Sequence, residues 1–142
     1  MACIKPVYGQ VLVEVNSAVF DQGVNDMVFE AVSQHLLVTI PSTSNVFGNS
    51  VGLFDPEALT MTDAVFVGSE PGPIDVTDDG LYAYVGVNAA GAVRKLDLNT
   101  LEVISSVQMG YDIGGYAQRA VRLSCRPGSN ETFAVLRGNM LG

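Results

Sequence analysis

An all-β fold is what the composition, the turn residues and an internal repeat of this chain predict. Of its 142 residues, 48% are hydrophobic and 15% charged, apolar enough for a core and too apolar for a disordered chain. Val and Gly are abundant and long runs of helix formers are missing, a balance that favours strands. The repeat sets the architecture. Residues 27–38 align without a gap on 74–85 at an offset of 47, apolar position on apolar position. Past a loop five residues longer in the first copy, 51–59 align on 93–101 at an offset of 42, and the copies close on matching Val and Gly residues at 65–68 and 107–110. A period of about 40–45 residues holding four short strands is that of a propeller blade. The chain is therefore expected to be a partial β-propeller of four-stranded antiparallel blades, one domain over 1–142, with blades at 24–68 and 72–110 and an incomplete blade at 119–142.

The elements follow in order. Gln10-Val-Leu-Val-Glu-Val-Asn16 alternates and reads as a leading strand, the outer strand of a preceding blade. In the first copy an inner strand near 27–30 meets a weak turn at 31–34, a second strand at 35–40 and an expanded loop at 41–50. Met27, Val28, Ala31 and Val32 also have helical spacing, but their gapless match to a segment containing Asp79-Gly80 argues for strand, turn and strand. Pro56-Glu-Ala-Leu59 matches Leu98-Asn-Thr-Leu101, so both read as turns. The second copy is the clearest. Strands are expected at 72–76, 81–87, 92–97 and 102–109, and Asp79-Gly80 supplies the positive φ that a tight hairpin needs. A third copy starts with a strand at 120–125, turns at 126–130 and enters a second strand at 132–136.

Gly68-Ser-Glu-Pro-Gly-Pro-Ile-Asp-Val-Thr-Asp-Asp-Gly-Leu-Tyr-Ala-Tyr-Val85, followed by an apolar-Asp strand end at 93–97 and a Thr-containing turn, resembles the YVTN-type β-propeller repeat. Tyr84-Val-Gly-Val87 stands where that family has its namesake tetrapeptide, and the first copy has Leu37-Val-Thr-Ile40 there. The resemblance covers residues 24–142 and implies architecture, because the matching positions are turn formers and core residues. Proteins of this kind include surface-layer and secreted propellers, lactonase-like enzymes and propeller subunits of redox enzymes, so the resemblance leaves the compartment open.

Several function classes are disfavoured. A net charge of −8 argues against nucleic acid and anionic membranes as partners, which need clustered Lys and Arg. The N-terminus lacks the basic and apolar regions of a signal peptide, and no apolar run reaches the roughly 18–20 residues that span a bilayer. Cys3 and Cys125 are too few for a disulfide framework and read as free thiols. His35 is the single histidine and matches Tyr82, a strand position, so no zinc, copper or haem ligand set can be assembled. Glu70, Asp75, Asp78 and Asp79 lack EF-hand spacing, and Asp78 and Asp79 are accounted for by turn chemistry. Asp55 and Asp97 recur at equivalent strand ends, where a carboxylate caps the following turn. Ser124 and Cys125 have no histidine nearby to serve as base. The glycines at 110–115 lack the Lys-Ser/Thr ending of a phosphate loop. Asn130-Glu-Thr132 is a formal glycosylation sequon, meaningful in a eukaryotic secreted setting. No catalytic residue, cofactor or metal is expected.

Blade geometry supplies a functional pointer. Loops between the second and third strands emerge on the same side as the blade-to-blade connections, which gathers 40–50, 88–91, 68–73 and 110–119 onto one face. The longest of these carry Asn45, Tyr111, Asp112, Tyr116 and Arg119, residue types suited to contact with a protein partner or small ligand. The expected function is a non-catalytic propeller module, or section of one, binding through this loop face. The alternative is a section of a lactonase- or dehydrogenase-like propeller enzyme whose catalytic residues lie in further blades. Exposed strand edges and blade faces also point to a homo-oligomer that completes the ring, with 10–16 finishing a neighbour's blade.

Overall fold

The structure is a computed structural model that describes residue 19 and residues 22–139. The leading strand expected at 10–16 and Cys3 lie outside the described residues. Among the described residues ten strands run β1 (Asp26–Glu30), β2 (His35–Ile40), β3 (Ser50–Asp55), β4 (Thr60–Phe66), β5 (Pro71–Val76), β6 (Tyr82–Val87), β7 (Ala92–Asp97), β8 (Glu102–Gln108), β9 (Gln118–Cys125) and β10 (Phe133–Asn139). Among the described residues the one helical element is a 3-10 turn at Asn88–Ala90. Of the residues with helix-compatible spacing, Met27 and Val28 lie in β1 and Ala31 and Val32 in the turn before β2, and β1 pairs antiparallel with β2, Val28 opposite Leu37.

Three antiparallel sheets result. The first has the order β1-β2-β3-β4, the second β5-β6-β7-β8, and the third pairs β9 with β10. The repeat extends below the level of sequence. A β-bulge falls at Leu53/Phe54 in the first sheet and at the equivalent Lys95/Leu96 in the second. Asp55 Oδ1 accepts the N–H groups of Glu57 and Ala58, and Asp97 Oδ1 accepts those of Asn99 and Thr100, at 2.8–3.1 Å. Each of these turns closes on a leucine in the left-handed region, Leu59 at φ 57° and Leu101 at φ 56°. The carboxylate satisfies donors that the tight turn would otherwise strand.

Each sheet has a forward face, toward the next sheet in the chain, and a rear face. Because strand side chains alternate, Val28, Leu37, Val51 and Leu53 fall on the forward face of the first sheet. They pack against Ile74, Val76, Ala83, Val85 and Leu96 on the rear face of the second. Leu37, Val51, Val85 and Leu96 are 0–1% exposed, and each such burial contributes about 1.5–3 kcal/mol. The second interface is built from Tyr84 and Val93 against Ala120, Leu123, Cys125, Phe133 and Val135.

Polar staples hold these faces in register. Thr39, fully buried, donates to Gly72 O at 2.9 Å, and Asn25 Nδ2 donates to Pro71 O at 2.7 Å. The carboxylate of Asp26 accepts Ile74 N–H at 3.1 Å, while Asp75 accepts Cys125 N–H at 2.7 Å in the next interface. Arg94 Nη1 donates to Val67 O, and Arg137 Nη1 donates to the equivalent Met109 O. Both carbonyls precede a glycine with positive φ, Gly68 at 109° and Gly110 at 78°, where the chain leaves one sheet for the next.

Candidate functional site

The loops expected on one face are joined to one another there. Asn49 Oδ1, at the end of the 41–49 loop, accepts Glu70 N–H at 3.1 Å, and Ser42 donates to the Glu70 carboxylate. Glu70 O in turn accepts Asn88 N–H at 2.9 Å, and Asn88 Oδ1 accepts Ala120 N–H at 3.2 Å. Met109 N–H donates to Gly91 O at 2.8 Å and so ties in the last loop, which Gln118 N–H closes on Gly110 O at 3.0 Å. The row thus runs from 41–49 through 68–70 and 88–91 to 110–118, with Asn45 and Tyr116 toward opposite ends.

The loop after Gly110 is a small closed hairpin. Tyr111 bridges Ala117, Asp112 N–H donates to Tyr116 O at 2.9 Å, and Gly115 N–H donates to Asp112 O at 3.0 Å. Asp112 Oδ1 accepts from Gly114 and Tyr116 N–H, both at 2.9 Å. The chain reverses at Gly115, φ 81°, a conformation that a side chain would strain. The carboxylate of Asp112 is thus a staple inside the loop. What the loop presents is apolar: Tyr111 is 75% exposed, Tyr116 54% and Ile113 fully so.

Arg119 lies just beyond, on β9, and lines a different feature. The inner strands β1, β5 and β9 flank a cleft of about 800 Å³ whose walls include Asn25, Asp26, Asp75, Asn88, Arg119 and Arg122. Asp26 and Asp75 in that cleft are the carboxylates that staple the sheets together. Asn45 is exposed on the 41–49 loop beside Val46 and Phe47, themselves 53% and 50% exposed. The five residues therefore divide into an apolar hairpin tip, its internal staple, a cleft arginine and a distant loop asparagine.

Sequence reasoning missed Ile113, Val46 and Phe47. The signal for Ile113 was present: an apolar residue between an Asx-turn aspartate and two glycines has no strand to carry it into a core.

Reactive groups are quiet. Burial, helped by Asp75 and Asp78, pushes the Cys125 thiol up to about 12, the opposite of an activated nucleophile. His35 Nδ1 lies 2.8 Å from Ser33 O and 3.2 Å from Ser33 Oγ. That hydroxyl donates to Glu30, whose carboxylate also accepts Val32 and Ser33 N–H and so caps the first hairpin. Burial of Glu30 opposes ionisation, yet these donors hold its pKa below the ordinary carboxylate value. Among the described residues no group of three or more His, Cys, Asp or Glu is placed to hold a metal ion, and no helix is long and apolar enough to cross a membrane.

No family model matches the chain, and no curated protein resembles it in sequence. Solved structures do resemble it in fold. The Kuenenia stuttgartiensis hydrazine synthase superposes with a TM-score of 0.63 at 22% identity, over 87% of this chain and 32% of that one. The Swd1 β-propeller domain from Myceliophteria thermophila gives a TM-score of 0.67 at 13% identity, over 85% of this chain and 34% of that one. The dihydro-heme d1 dehydrogenase NirN, solved in complex with DHE, gives 0.60 at 22%, over 82% of this chain and 23% of that one. The chain spans about a third or less of each. Its fold is all-β, antiparallel sheets, two of them four-stranded, stacked as in part of a β-propeller.

Proposed function

We propose that this chain is a non-catalytic propeller module that binds a protein partner through its loop face, with the hairpin at 110–118 as the principal contact. The observation that carries the reading is the exposure of Tyr111, Ile113 and Tyr116 on a loop closed by Asp112. Exposed aromatic and aliphatic side chains on a pre-ordered loop bind with little ordering entropy, and such anchors dominate interface energies. Asp112 acts by positioning the loop. Asn45 stands toward the far end of the same row of loops, suited to the polar rim of an interface, while Arg119 faces the inner cleft and takes no part in this contact.

The test compares proteins captured by the wild-type chain from extracts of its source cells with those captured by Ile113→Ser and Tyr116→Ala variants. A specific partner is expected to bind each variant about 30-fold more weakly, the loss of one anchor of roughly 2 kcal/mol. The unfolding midpoint should hold, since these side chains support no core. Variants that lose stability while keeping all binding would contradict the reading.

A further inference from the structure

We infer that the rear face of the first sheet seats on the forward face of the third sheet of a second copy, so that copies of this chain join head to tail into a shared ring. The inference starts from the internal repeat. Ile74, Val76, Ala83, Val85, Leu96 and Val103 of the second sheet pack into the interface with the first. Their counterparts at offsets of 47 and 42 are Met27, Phe29, Leu36, Val38, Phe54 and Met61. All six are apolar. Cross-strand register sets Met27 opposite Val38, Phe29 opposite Leu36, Leu36 opposite Phe54 and Phe54 opposite Met61, one apolar field across four strands. Val38 is buried, yet Phe29 is 47% exposed and Met27 55%, and Met27 lines a groove of about 470 Å³ together with Val24 and Phe47. The shared bulge gives this face the local twist of its buried counterpart. Its complement is therefore the forward face of another blade.

The forward faces of the first and second sheets are covered inside the chain. Among the described residues the third sheet keeps its own open. Phe133 and Val135 turn toward the second sheet, so Ala134 and Leu136 turn away, and Leu136 is 61% exposed. Ser124 stands opposite Ala134 and Arg122 opposite Leu136, with Val121, 51% exposed, over Gly138. Small Ser124 and Ala134 leave room for the bulky Met27 and Phe29, the alternation of size that lets sheet faces interdigitate. The contact continues the first-to-second and second-to-third sheet interfaces. Such a heterologous contact forms a ring when its rotation closes, and the rotation from blade to blade about a common propeller axis is of that kind.

The test is sedimentation velocity on the full chain, alone and as Phe29→Glu and Leu136→Glu variants. Wild type is expected as a discrete closed oligomer, and each variant as a species associating at least about 30-fold more weakly. Mixing the two variants should restore pairing, because one chain keeps an intact third sheet and the other an intact first sheet. Met27→Glu and Val121→Glu repeat the experiment at neighbouring exposed positions, with circular dichroism confirming the fold. A wild-type monomer throughout, as expected if further blades of a longer polypeptide cover the face, would overturn the inference. So would a Leu136→Glu variant that associates like wild type, the signature of first sheets pairing with each other.

Discussion

Lys95 occupies the place in the second sheet that Leu53 holds in the first, yet it is only 6% exposed. Its ammonium meets Glu131 at 2.7 Å and lies 4.0 Å from the centre of the Tyr82 ring. Burial works against its charge, but Glu131 and Tyr84 outweigh that and hold its pKa above the usual 10.5. Two neighbours in this interface also titrate late. Burial raises Tyr84 above its ordinary 10.0 against the pull of Lys95, and raises Cys125 from 9.0 to about 12. A group whose pKa is raised on folding stabilises below its unfolded pKa and loses that contribution as pH rises through the folded value. The interface between the second and third sheets should therefore weaken from about pH 9 upward, where the unfolded thiol begins to ionise. The fall from about pH 9 belongs to Cys125 and Tyr84, whereas the Lys95 contribution is lost only above its ordinary 10.5. We therefore predict that thermal unfolding of wild type falls more steeply above about pH 10.5 than that of Lys95→Met. At pH 7 that substitution should cost within about 1 kcal/mol, since an apolar group of similar volume replaces the pair. Equal slopes would refute this role for Lys95. None of it was legible in the sequence, because Glu131 is 36 residues away and a lysine in a strand reads as solvent-facing. Asp55 and Asp97 were legible for the converse reason: their donors lie two and three residues on.

At the scale of single elements, turns were readable from sequence wherever chemistry and contact were local. Asp79-Gly80 announced the β5–β6 hairpin, and Gly80 takes φ 68° there. Its second role depends on the neighbouring sheet. A Cβ on Gly80 would meet Glu30 Oε1 at 2.5 Å and Val32 at 2.9 Å, so the two hairpins touch backbone to side chain. Gly128 has a similar φ of 71° with open space around it. Both Gly→Ala variants carry the left-handed penalty of about 1–2 kcal/mol, but Gly80→Ala must also displace the first hairpin. Urea unfolding should therefore place Gly80→Ala at least about 1 kcal/mol below Gly128→Ala, a step of the size that overpacking adds. Equal values would mean that the hairpins do not meet. The 110–118 hairpin was only half legible. Its glycines and aspartate marked a turn, while the outward placement of Ile113 follows from a backbone closed on both sides by hydrogen bonds.

At the scale of the whole molecule, the repeat was enough to anticipate an all-β stack of four-stranded sheets, because period and turn chemistry survive substitution of the side chains between them. The interfaces were less readable. Only the alternation of faces tells that Val28 and Met27, adjacent in sequence, belong to different sheet contacts, one covered within the chain and one 55% exposed. The same geometry separates Arg119, drawn to the inner cleft, from Tyr111 and Tyr116 on the loop tip. Sheet stacking is thus the central claim, since the partner loop and the open rear face both follow from it. Nuclear Overhauser contacts in the methyl- and aromatic-labelled chain test it most directly. Stacking predicts cross-peaks between Tyr84 and Phe133, whose ring centres lie 4.6 Å apart, and between methyls of Leu37 or Val51 and those of Val85 or Leu96. Cross-peaks confined within each sheet would contradict it.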